Sequence, residues 1–177
     1  MAKLLIRLNT WQRALIWLLL AFVVIELDIQ TKAWASENLT LYRPVQVTDW
    51  LNMTLAHNYG AAFSMLSDAG GWQRWFFTVL ASGVTLVLLV WLFRLKDDEW
   101  LTGLSLGLII GGALGNLIDR IQLGYVVDFI DVHYQGHHWP AFNVADSAIS
   151  VGIFLMLLDG LVLAPRRNRA TAQEAQQ

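Results

Sequence analysis

The chain has no cysteine, and only 15% of its 177 residues are charged, for a net charge of −2. Without cysteine there is no disulfide, no thiol nucleophile and no thiolate metal site. The sparse charge excludes a second class, because no basic run offers a surface to nucleic acid. A composition 56% hydrophobic, with a mean hydropathy of +0.47, is too oily for a soluble domain of this size. Metal-ligand spacing is missing as well: His133, His137 and His138 are close in sequence, but no HExxH or comparable pattern occurs. No metal and no other cofactor is therefore expected.

What is present is membrane-spanning material. Four apolar stretches can be read, at 14–27, 75–93, 101–118 and 147–164. Eighteen or nineteen residues at 1.5 Å each give roughly 27–29 Å, about one hydrocarbon thickness. The first stretch is short unless Glu26 and Asp28 stand at its aqueous end. Eight of the twelve basic residues (Lys3, Arg7, Arg13, Arg94, Lys96, Arg166, Arg167 and Arg169) fall on one side of this arrangement. Such residues favour the cytoplasmic face, so both termini are expected there. Trp11, Trp91 and Trp100 then suit the inner interface, and Trp34, Trp72, Trp75 and Trp139 the outer one. A cleavable secretory leader is the rival reading of the N-terminus, since Ala33-Trp34-Ala35 is an A-x-A match. Glu26, Asp28 and Lys32 lie between the apolar run and that match and spoil it.

Between the first two spans, Val45, Val47, Leu51, Met53 and Leu55 alternate with Gln46, Thr48, Asn52 and Thr54. This period of two predicts strand, with Asp49-Trp50 as a turn or bulge, inside an outer β-rich segment at about 40–66. Open sheet edges cannot lie in hydrocarbon, which puts this segment outside the bilayer. In the third span Gly103, Gly107, Gly111 and Gly115 recur every fourth residue, a row that lets another helix approach closely and that extends to Asp119. The fold class expected is an all-α integral membrane protein of four transmembrane helices with a small outer β-rich sheet. Residues 1–170 form a single membrane-embedded domain and 171–177 a disordered polar tail.

Five acids, Asp28, Asp119, Asp128, Asp131 and Asp146, sit at or near the ends of apolar stretches, where charge is expensive and needs a partner or a task. Asn116 adds an amide to the last turn of span three, beside Asp119 and Arg120. Asp128 and Asp131 are embedded in an apolar segment too short to span. Asn143, three residues before Asp146, reads as the N-cap of span four, and capping helps to keep Asp146 ionised. Two carboxylates converging at low dielectric cannot both ionise, so one keeps its proton. That asymmetry suits hydrolysis, with the carboxylate taking a proton from water while the acid polarises a carbonyl. A transporter or proton relay is the alternative, but it calls for charge deep within spans, where only Asp159 lies. A noncatalytic scaffold assembled through the glycine row leaves the Asp, Asn and Arg cluster unexplained.

Five segments in order carry a resemblance. They are Asp28-Ile29-Gln30-Thr31-Lys32, Asn58-Tyr59-Gly60-Ala61-Ala62-Phe63, Gly111-Gly112-Ala113-Leu114-Gly115-Asn116-Leu117-Ile118-Asp119-Arg120, Val126-Val127-Asp128-Phe129, and Phe142-Asn143-Val144-Ala145-Asp146. Together they resemble the bacterial lipoprotein signal peptidases, or signal peptidase II. The resemblance implies an aspartyl endopeptidase of the bacterial inner membrane with four helices, a β-rich cradle and a site near the outer face. It assigns the catalytic pair to Asp128 and Asp146, and places Asp28, Lys32, Asn58, Gly60, Asn116, Arg120 and Asn143 around them for substrate binding. The implied substrates are prolipoproteins carrying a diacylglyceryl cysteine, cut N-terminal to that cysteine beside membrane lipid, and globomycin is the implied inhibitor.

Overall fold

Four long apolar helices and a small antiparallel sheet make up the computed structural model, which describes residues 9–60 and 71–165. The polar tail, the basic residues Lys3, Arg7, Arg166, Arg167 and Arg169, and Ala61, Ala62 and Phe63 lie outside the described residues. Helix α1 (Thr10–Asn38) starts from a reciprocal cap: the Asn9 side chain accepts from the Gln12 amide at 2.9 Å, and the Gln12 side chain accepts from the Asn9 amide at 2.9 Å. Its 29 residues reach about 44 Å. The helix therefore continues ten residues past Asp28, well beyond the apolar stretch 14–27, and carries Asp28 and Lys32 on a rigid shaft. Strands β1 (Val45–Thr48) and β2 (Leu51–Asn58) follow, then α2 (Trp72–Leu92), α3 (Trp100–Gln122), β3 (Val126–Tyr134), β4 (His137–His138) and α4 (Val144–Leu158). A π-helical turn, Asp159–Leu163, prolongs α4.

Helix α3 is the hub of the bundle. In its most apolar window 72% of residues are buried, against 11–22% in the other three helices, which pack around it and turn Leu19, Phe22, Val79, Leu86, Phe154 and Leu161 outward. The glycine row makes this possible. A methyl group on Gly107 would meet the Trp17 carbonyl oxygen at 2.9 Å, and one on Gly111 would meet the Ala21 carbonyl oxygen at 2.8 Å, so α1 lies directly on the α3 backbone. Gly112 and Gly152 do the same for α4, the latter against the Ser105 carbonyl oxygen at 2.9 Å. Asp159, buried near the other end of α4, accepts from the Thr102 hydroxyl at 2.6 Å.

The sheet runs β1-β2-β3-β4, antiparallel throughout. Its first hairpin turns at Asp49-Trp50, with Thr48 opposite Leu51. The last turns through Gln135 and Gly136, both at positive φ (49° and 81°), as a two-residue hairpin between paired Tyr134 and His137 requires. Only two of the four strands come from the segment 40–66. The longest is Val126–Tyr134, the acid-bearing apolar segment, which pairs with β2 in a register that sets Ala56 opposite Asp128. Its residues Val127 and Phe129 pack with Leu55 against Ala35 of α1, so the sheet rests on the projecting end of the first helix.

Candidate functional site

The ends of α1, α3 and α4 and the start of β3 meet around one buried cation. Lys32, 3% exposed, is held at 2.6 Å by Asp28 and 3.0 Å by Asp119, and donates to the Asn116 side-chain oxygen at 3.0 Å. An ammonium has three protons, and each finds an acceptor here. The two carboxylates also fasten the surrounding elements: the second oxygen of Asp28 accepts from the Ala145 amide (2.9 Å) in the first turn of α4, and Asp119 accepts from the Val127 amide (3.0 Å) at the start of β3. A buried charge whose three acceptors between them tie α1 and α3 to α4 and β3 acts as the rivet of this end of the molecule.

Above the rivet stand two amides and two further acids. Asn116 Nδ2 donates to Asp146 at 2.7 Å, while its oxygen accepts from both Lys32 and Asn143 Nδ2 (3.2 Å). Asn143 Nδ2 also donates to Asp128 at 2.7 Å, and its oxygen caps α4 by accepting from the Asp146 amide at 2.8 Å. Asp128 is 2% exposed, and its second oxygen accepts from Asn58 Nδ2 at 3.0 Å. Asp128 and Asp146 are thus linked through a continuous bridge of two amides. Burial pushes the Asp128 carboxyl up to about 7, and the charge of Asp146 adds to the rise, against the opposing hydrogen bonds of Asn58 and Asn143. This acid carries its proton at neutral pH far more readily than an ordinary aspartate.

Gly60 and Arg120 close the rim. The Gly60 amide is taken by the Asn58 side-chain oxygen at 3.0 Å, and the Gly60 carbonyl oxygen accepts from Arg120 Nη2 at 3.2 Å. Arg120 also donates to the Asn116 carbonyl oxygen (3.3 Å) and lies over the Phe77 ring at 5.5 Å. All nine residues named from the sequence fall in this one network. Asp131 does not: it is three residues from Asp128, on the opposite face of β3, and takes donors from Asn52 (3.1 Å), Thr54 (3.2 Å) and His138 (2.8 Å). Burial would raise its carboxyl, but those partners hold it below the ordinary value.

Two further residues, Asp119 and Arg74, brace this network without being among the nine. Asp119 is the next step of the glycine row, a visible signal, whereas Arg74 donates to backbone oxygens, Arg120 O at 2.8 Å and Ile121 O at 2.6 Å, and lies over the adjacent Trp75 ring at 5.3 Å, so no acidic partner marks it in the sequence. Among the described residues no group of three or more His, Asp or Glu side chains is placed to hold a metal ion. The arrangement provides one acid with a raised proton affinity, a second carboxylate linked to it, and fixed amides that orient both.

Known proteins share this arrangement of chain. A family model described as signal peptidase (SPase) II matches residues 20–162. The lipoprotein signal peptidase of Acinetobacter baumannii is 57% identical over 155 residues, covering 88% of both chains. That of Teredinibacter turnerae is 55% identical over 148 residues, 84% of this chain and 88% of its own. A solved bacterial membrane enzyme, 32% identical, superposes with a TM-score of 0.72 over 82% of this chain and 87% of its own.

Proposed function

The chain belongs to the signal peptidase II family, a membrane protease that removes signal peptides from prolipoproteins, and from that premise we propose that Asp128 and Asp146 are its catalytic pair. The observation that carries this reading is the amide bridge, Asp128 to Asn143 to Asn116 to Asp146, which holds two carboxyl groups at one site with one of them inclined to stay protonated. In the proposed reaction the ionised carboxylate takes a proton from water, and the hydroxide formed attacks the scissile carbonyl carbon. The protonated partner gives its proton to the carbonyl oxygen. On collapse the C–N bond breaks, the amine nitrogen receives the proton first taken from water, and one hydroxyl of the diol returns its proton to the other carboxylate as the carbonyl re-forms, so the pair again holds one proton.

The surrounding residues have distinct tasks in this scheme. Lys32 with Asp28 and Asp119 sets the spacing of the elements, Asn116 and Asn143 orient the acids, and Asn58, Gly60 and Arg120 form the rim that meets the substrate backbone. Helices and sheet act as one peptidase unit. We place both termini in the cytoplasm and the site at the outer face of the inner membrane, on the asymmetry of basic residues. A diacylglyceryl cysteine would then arrive at the site already anchored in lipid. The tail supplies binding energy remote from the bond cut, which positions that bond against the acids. Globomycin should compete for the same site.

The test uses purified protein in detergent and one precursor in two forms, with and without the diacylglyceryl group, followed by gel shift. Cleavage of the lipidated form should be faster by at least about tenfold, equivalent to 1.4 kcal/mol of binding energy used in the transition state. Equal initial rates would refute lipid recognition. Full turnover in Asp146→Asn would refute the pair itself.

A further inference from the structure

The opposite end of the bundle holds a second polar feature that the peptidase reaction does not use. A cavity of about 190 Å³ lies between the start of α1, the end of α2 and the start of α3. Its floor is apolar, formed by Trp17, Leu92 and Leu95; its rim carries Arg13, Lys96, Asp97 and Glu99. Arg13 is fifteen residues before Asp28 on one helix, so this cavity is roughly 22 Å from the catalytic end along α1.

Three observations describe what would fit. The first is depth: Trp11, Trp91 and Trp100 are all exposed around this end, Trp11 against Phe93 at 5.2 Å, and such aromatics mark the level of lipid headgroups. The second is size, since the cavity is smaller than the roughly 300–1,000 Å³ that encloses a drug-sized ligand. A headgroup fits there, with its acyl chains left outside along the helices. The third is charge, because the rim carries two basic and two acidic side chains. Arg13 is ion-paired with Asp97 at the rim. Glu99 spends one oxygen on the Lys96 amide at 2.7 Å, and the Lys96 ammonium has no ion-pair partner among the described residues.

We propose that this cavity is a binding site for the zwitterionic headgroup of a phosphatidylethanolamine-type lipid. The phosphate would lie toward Lys96 and Arg13, and the primary ammonium would donate to Glu99 and Asp97. A purely anionic headgroup meets two carboxylates here and gains little net attraction. A quaternary choline head cannot donate hydrogen bonds to those carboxylates. Only a head carrying both a phosphate and a hydrogen-bonding ammonium satisfies both halves of the rim.

The experiment measures lipid retention by native mass spectrometry on detergent-purified protein equilibrated with an equimolar mixture of phosphatidylethanolamine, phosphatidylglycerol and phosphatidylcholine. Wild-type protein should retain phosphatidylethanolamine about threefold over either competitor, which corresponds to roughly 0.7 kcal/mol, within the range of a partly exposed charge pair. Lys96→Gln and Glu99→Gln should each bring that ratio to about one with cleavage of a lipidated precursor unchanged, and Arg94→Gln, outside the cavity, should keep it. Preference for another headgroup, no preference, or a preference that survives both cavity variants overturns the proposal. Equal loss in Arg94→Gln also overturns it, by showing surface charge rather than a site. Water-soluble phosphoethanolamine should not raise Tm at millimolar concentration; a rise matching that of the lipid would overturn the assignment to a membrane lipid.

Discussion

Replacing Asp128 by asparagine should end cleavage and at the same time make the protein more stable at alkaline pH. The Asp128 carboxyl is pushed up to about 7 from an ordinary 3.8, by burial first and by Asp146 second. A carboxyl whose folded value is raised favours folding below its unfolded value and progressively loses that contribution as pH climbs to the folded one. Above pH 7 the folded state therefore carries a penalty of about 4 kcal/mol, the span from 3.8 to 7 at 1.36 kcal/mol per pH unit. Asparagine cannot ionise and escapes this penalty. Both oxygens of Asp128 accept amide protons, however, from Asn143 and Asn58. The new NH₂ group would face one of those donors, a loss of about 1–2 kcal/mol. The balance is a gain of about 2 kcal/mol at pH 8, or roughly 4–8 °C in Tm for a chain of this length. At pH 4.5 the penalty is small and the gain should vanish. Thermal unfolding in detergent at both values, with a precursor-cleavage assay alongside, reads both effects. An identical Tm difference at pH 4.5 and pH 8 would refute the raised carboxyl, and retained turnover would refute its catalytic assignment.

Arg120→Lys should insert normally yet lose at least about tenfold in kcat/KM, because the Asn116 and Gly60 carbonyl oxygens are met by separate guanidinium nitrogens, Nη1 and Nη2, a planar fork that lysine does not copy; near-wild-type kinetics would demote Arg120 to an interfacial anchor. Asp131→Asn should leave turnover almost intact and destabilise the sheet by about 1–2 kcal/mol, since it weakens bonds to Asn52, Thr54 and His138 only. That loss should be fully present at pH 7 and shrink as pH falls through the depressed Asp131 value, which a pH series of Tm values checks. Gly111→Val should cost about 3 kcal/mol, because a side chain there meets the Ala21 carbonyl oxygen and Val24 Cβ, both at 2.8 Å. An unchanged Tm in Gly111→Val would show that α1 and α3 are not in the contact described.

The helices were legible because a span is a local property: length and apolarity alone identify it. The first hairpin was legible for a related reason, since apolar and polar residues alternate along the chain from Val45 to Leu55. Strand β3 was not, because Val126, Val127, Asp128 and Phe129 are all buried, and a strand buried on both faces loses its period of two. Its pairing with β2 is encoded in packing, not in either segment. Asp128 and Asp146 stood out as acids in apolar surroundings, and the row through Gly115 pointed at Asp119. Gly60 gave a weaker signal, since the contribution of its carbonyl oxygen to Arg120 depends on geometry alone.

Asn58 donates its side-chain amide to Asp128, yet 70 residues separate them, and both α2 and α3 lie in that interval. At a synthesis rate of about 5–20 residues per second, β2 leaves the ribosome roughly 4–14 s before the end of this interval. During that time the first hairpin waits with one edge open and Asn58 without its acid, while two membrane helices are threaded through the bilayer. Asp146 follows later still, on the last helix. On the proposed pairing of Asp128 with Asp146, the site is therefore incomplete throughout synthesis and is assembled only when the final span docks against α3.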